Sequence, residues 1–146
     1  MNTEGKETPM KIRVVEEIET NAADIWDYIG DFGGLARWNP FVSEVTAEGD
    51  GVGAIRTVQG KAGGTTVEQL DALDPTELNI AYRVVSTDPP QPVTGMPVTI
   101  SLREIAPGRT HITWVAEPPV DNPDLEKALT AGFSARISAL RQALGA

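Results

Sequence analysis

The sequence predicts an α+β fold in which a curved, seven-stranded antiparallel sheet wraps around a long carboxy-terminal helix. Two observations point there. Between Val42 and Ala116 the chain alternates short β-rich runs with turns of Gly, Pro and Asp, the pattern of an antiparallel meander. Beyond Pro118-Pro119, Leu125, Leu129, Phe133, Ile137, Leu140 and Leu144 recur at helical spacing and form one apolar stripe. The 146 residues, 40% of them apolar, suit one domain with a substantial core rather than two.

Residues 1–9 are short, charged and closed by Pro9, and read as a disordered leader before a single domain over 10–146. Ile12 to Ile18 (IRVVEEI) is rich in β-branched residues and predicts a first strand. Thr20-Asn21 supplies a cap, and Ala22, Ala23, Ile25, Trp26 and Ile29 follow at helical spacing. That helix should stop within Gly30 to Gly34, with one further turn over 35–38 before Pro40. The meander is read as strands 42–48, 54–59, 65–74, 78–86, 97–105 and 110–116. Its longest connection, 87–96, holds three prolines, which stiffen it. Asn122 or Asp121 caps the final helix at Pro123–Leu144, whose first turn carries Asp124 and Glu126 and whose end carries Arg141, as the helix dipole favours. A sheet with one apolar face must cover it, and this helix is available. Seven strands curled around one helix cannot close tightly everywhere, so an internal cavity is expected.

Composition removes whole classes of chemistry. The chain has no cysteine and one histidine, which excludes disulfides, thiolate nucleophiles, iron–sulfur clusters and multi-histidine metal sites. No metal or other cofactor is expected. The net charge of −9, with scattered cations, argues against nucleic acid as a partner. No run reaches the ~20 apolar residues of an integral membrane segment, and the start lacks a signal-peptide core. A cytoplasmic monomer or homodimer is the expectation.

Several residues in order carry a resemblance. They are Ala23-Asp24-Ile25-Trp26-Asp27-Tyr28-Ile29 with Asp31-Phe32, then Trp38-Asn39-Pro40, Gly51-Val52-Gly53-Ala54-Ile55-Arg56, Glu68 to Asp74, Tyr82 and Trp114. Over about Lys11 to Leu144 the sequence resembles the SRPBCC or START-like (birch-pollen-allergen-like, helix-grip) superfamily, polyketide cyclase/dehydrase-like branch. The resemblance implies the helix-grip fold, a deep cavity and apolar or amphipathic small molecules as ligands. It does not select one activity, since the superfamily includes lipid carriers, receptors, cyclases and co-chaperones.

Strand alternation nominates the residues of the cavity. A hairpin centred on Ala62 sets Arg56 opposite Glu68, Val58 opposite Thr66 and Ala54 opposite Leu70, so Arg56, Glu68 and Leu70 share a face. The Arg56–Glu68 pair either meets a ligand or fixes the register of the hairpin. Ile80, Tyr82 and Val84 alternate inward, and the Tyr82 hydroxyl needs a partner in an apolar chamber. Trp114 faces inward with Ile112 and Ala116, while His111 alternates outward and makes a poor base. Phe133 and Ile137 sit mid-stripe on the helix, and Trp38 is held near a chain reversal by Asn39-Pro40. The loops 60–64 and 87–96 are expected to flank one opening, the first mobile and the second stiff. Binding of a lipid, polyketide or aromatic metabolite is the leading function. The alternatives are a cofactor-free cyclase or dehydratase using Arg56, Glu68 and Tyr82, and a co-chaperone-like interaction module, which would need an exposed apolar patch.

Overall fold

The computed structural model describes residues 11–146, so the leader expected at 1–9 lies outside the described residues. Seven strands form one antiparallel sheet: β1 (Ile12–Ile18), β2 (Val42–Glu48), β3 (Ile55–Gly60), β4 (Thr65–Asp74), β5 (Asn79–Asp88), β6 (Pro97–Ala106) and β7 (Arg109–Ala116). Their spatial order is β1-β7-β6-β5-β4-β3-β2, a meander whose last strand is joined by the first. Between β1 and β2 lie α1 (Ala22–Ile29) and a 3-10 segment (Phe32–Arg37) that kinks at Gly34; α2 (Pro123–Leu144) ends the fold. The α+β helix-grip architecture expected from the pattern is the one observed.

Local chemistry explains the boundaries. The Asn21 side chain accepts the Asp24 N–H at 2.9 Å and starts α1. Asn122, rather than Asp121, caps α2, accepting from the N–H groups of Asp124 and Leu125, with Pro123 in the first turn. At the far end Gly145 adopts φ 70°, and the Ala146 N–H returns to the Arg141 carbonyl, closing the helix with a left-handed turn. Strand β5 begins one residue later than the pattern predicts, because Leu78 sits at φ 57° in a turn held by Asp74, whose carboxylate accepts from Thr76 and Glu77. It also runs further, to Asp88, which pairs with Thr65.

Register shifts at Val67/Glu68 and at Leu70/Ala72 interrupt the β4–β5 ladder. Such bulges bend a strand and increase its twist, curving the sheet towards the helix. The core lies on the concave face, where Ile12, Ile18, Ile80, Val98, Ile112, Trp114, Ile137 and Leu140 are almost wholly buried. Helix α2 is anchored unevenly. From Phe133 onward it buries Phe133, Ile137, Ala139 and Leu140 and packs against β1, whereas Leu125 and Leu129 nearer its start are only partly covered. Among the described residues no helix is long and apolar enough to cross a membrane.

Candidate functional site

The weakly packed half of α2 stands over a cavity of about 190 Å³ between helix and sheet. Its walls are mainly apolar: Ile80, Val84, Val98, Ile100 and Trp114 from the sheet, Met96 from the segment before β6, and Leu129 and Phe133 from α2. Trp114 and Phe133 stack across the interior with centroids 5.4 Å apart. The Trp114 indole N–H is buried and has no acceptor among the described residues. Tyr28, Leu35 and Trp38 close the end nearest the amino-terminal helices.

A second, more open chamber of about 480 Å³ adjoins the first and shares Asn39, Val42, Val58, Thr66 and Arg136 with it. Its rim is built by Gly60, Ala62, Gly63 and Gly64 on one side and by Thr87, Asp88, Pro89 and Gln91 on the other. The β3–β4 and β5–β6 connections therefore do flank one opening. In an up-and-down sheet alternate turns fall at the same end. Phe41 is 52% exposed and lies on this rim.

One polar cluster interrupts the apolar wall. Register sets Arg56 opposite Glu68, and Arg56 Nε donates to Glu68 Oε1 at 2.7 Å. Arg56 Nη1 donates to the Phe32 carbonyl at 2.9 Å, tying the sheet to the 3-10 segment. The guanidinium stands 4.2 Å from the Phe32 ring centroid and 4.7 Å from that of Tyr82, within cation–π range. Burial pushes the Tyr82 phenol up to about 12, reinforced by the Glu68 carboxylate and opposed by Arg56 and Arg136. The phenol therefore stays protonated at neutral pH and acts as a donor, not as a base.

The sequence from 9 to 145 matches the family described as polyketide cyclase / dehydrase and lipid transport. The chain belongs to this family. Among solved structures, the polyketide cyclase/dehydrase-like fold recurs in XoxI from Bacillus cereus, 23% identical, with a TM-score of 0.80 over 91% of this chain and 94% of that one. A protein from Thermobifida fusca is 26% identical, with a TM-score of 0.73 over 90% of each chain. DynU16, a protein of the dynemicin biosynthetic locus, is 20% identical with a TM-score of 0.75; the match covers 92% of this chain but 47% of DynU16. No curated protein matches the sequence.

Within this cyclase/dehydrase-like domain, Trp38, Arg56, Glu68, Ile80, Tyr82, Val84, Trp114 and Phe133 all line the cavity. Leu70 and Ile137 do not: both are fully buried in the core. The Leu70 N–H donates to the Ala54 carbonyl and the Leu70 carbonyl accepts from the Gly53 N–H, and Ile137 falls in the tightly packed half of α2. His111 is 43% exposed on its side chain and sits 3.8 Å from Glu17, away from the chamber. Sequence reasoning missed Arg136, which lines both chambers. The signal available was its neighbourhood on one helix face, with Gly132 four residues before it and Phe133 three.

Proposed function

We propose that this protein binds an apolar or amphipathic small molecule, of the lipid, polyketide or aromatic-metabolite class, in the chamber between sheet and α2. The observation that carries this reading is the chamber itself. Protein interiors normally leave few voids larger than a water, and this chamber, at about 190 Å³, is far larger. The charges on its wall are largely compensated within the protein, Arg56 by Glu68 and Asp31 by Arg37. What the space offers is apolar surface with a few oriented donors, the make-up of a ligand pocket.

The test is binding of the neutral fluorophore N-phenyl-1-naphthylamine. One molecule should bind per chain, and Leu129→Trp, which fills the chamber from its thinly packed side, should weaken binding at least tenfold. Absence of saturable binding, or indifference to Leu129→Trp, counts against the proposal.

A second reading has one observation in its favour. The protonated Tyr82 hydroxyl and the Arg56 guanidinium belong to one polar cluster on an otherwise apolar wall, a fitting arrangement for stabilising a developing enolate oxygen. In cyclisation or dehydration Glu68 would then move the proton. Tyr82→Phe should in that case abolish turnover of a linear polyketide while leaving its binding intact. The co-chaperone reading has no such support, since among the described residues the large exposed apolar ones, Val15, Phe41, Val52, Val85, Ile105 and Val120, come from six separate segments.

A further inference from the structure

Arg136 sets the charge requirement of the chamber. Among the described residues Lys11, Arg13, Lys61, Arg103 and Lys127 also have no ion pair, but all five are exposed. Arg136 is half-buried, lines both the inner chamber and its mouth, and has no carboxylate within 4.0 Å among the described residues. Its guanidinium carbon lies 5.7 Å from the Phe133 ring centroid. Its Nη1 lies 3.4 Å from where a Cβ on Gly132 would stand, so the side chain bends back along the helix towards its amino terminus. The charge reaches the interior, since it is one of the two cations opposing the rise at Tyr82.

We infer that the ligand is a monoanionic amphiphile whose carboxylate pairs with Arg136 at the mouth while its apolar end occupies the inner chamber. This rests on the binding function proposed above. A single charge is required because the other charged groups on these walls are either mutually paired or negative. Arg56 with Glu68 and Asp31 with Arg37 leave no net charge, and Asp88 on the rim repels a second negative group. A guanidinium fork matches a carboxylate in geometry as well as charge. The size of the apolar end follows from the volume: a closed apolar cavity of ~150 Å³ holds one benzene, so the inner 190 Å³ takes one ring or a short branched chain, and the rest of a larger ligand extends into the adjoining 480 Å³ mouth.

The test uses ω-phenylalkanoates of two- to six-carbon chain, each beside its primary amide, titrated calorimetrically into the native protein, Arg136→Gln and Arg136→Lys. The best acid should bind the native protein at least tenfold more tightly than its amide. Arg136→Gln should bring that ratio to about one while amide affinity changes less than about twofold, and Arg136→Lys should retain part of the preference. A preserved affinity for the amide shows that the variant is folded. Acid and amide binding the native protein equally, or a ratio that survives in Arg136→Gln, overturns the inference while leaving the binding function standing. If neither acid nor amide binds at any chain length, and N-phenyl-1-naphthylamine fails too, the binding function falls and this inference with it.

Discussion

Arg56 and Glu68, directly opposed on β3 and β4, form a 2.7 Å ion pair of which neither side chain is more than about an eighth exposed. The pair holds hairpin register and, through the second bond of Arg56 to the Phe32 carbonyl, fastens the 3-10 segment over the sheet. Removing one partner strands the other's buried charge. Arg56→Met and Glu68→Leu should each therefore cost about 3–5 kcal/mol in urea unfolding. Replacing both together, as Arg56→Met with Glu68→Leu, removes the desolvation cost along with the attraction. The double variant should lose only about 1–3 kcal/mol, chiefly for the Phe32 carbonyl left without its donor. Additive losses in this cycle would mean that the two side chains act independently.

Tyr82 carries a pH signature. In the unfolded chain its phenol ionises near pH 10, whereas in the fold burial and the Glu68 carboxylate push it up to about 12. Between those values the native state holds a proton that the unfolded state has released, so stability falls as pH rises. The contribution is whole below pH 10 and is lost on passing through 12, a change of about 1–3 kcal/mol. Stability curves of the native protein and Tyr82→Phe, measured from pH 9 upward, should diverge in slope only above pH 10. Parallel curves would place the phenol in water.

The anchoring of α2 predicts a gradient in its mobility. Near its end Arg141 Nη2 donates to the Glu17 carbonyl at 2.8 Å and lies 2.9 Å from Glu16 Oε1, bolting the helix to β1. The half beginning at Pro123 relies on partly buried Leu125 and on Leu129, which lines the cavity. Amide hydrogens of 127–131 should therefore exchange at least tenfold faster than those of 137–141. Arg141→Ala should narrow the difference by speeding the second group, and should cost about 1–2 kcal/mol, mostly for the unpartnered carbonyl rather than the partly exposed ion pair. Uniform exchange along the helix would contradict this account.

The strand order of events in the chain was largely legible because alternation and turn residues are local. Counting residues about Ala62 sufficed to oppose Arg56 and Glu68, since register in a hairpin follows from the length of its loop. The bulges at Val67/Glu68 and Leu70/Ala72 carry no sequence mark, and they decide how far the sheet curves and hence which inward residues reach the chamber. Ile137 was placed on the cavity wall because a stripe tells which face is covered but not how closely. Arg136 escaped for the opposite reason. A charge at the edge of an apolar stripe reads as solvated, yet its long stem carries the guanidinium to the mouth.

Gly132 lies inside α2, where a glycine costs about 0.5–1 kcal/mol relative to alanine. An added Cβ would meet only Arg136 Nη1, at 3.4 Å, the free end of a flexible side chain. Gly132→Ala should thus raise stability by about 0.5–1 kcal/mol, or roughly 2–4 °C in Tm. The same methyl presses on the guanidinium that would hold the carboxylate. Affinity for the phenylalkanoates should fall a few-fold while affinity for their amides is unchanged. A more stable protein with a weaker preference for acids would tie the conformation of Arg136 to the bare backbone at Gly132. A loss of stability would instead mean that Arg136 is held too firmly to give way, and that its position is set by its packing on Phe133.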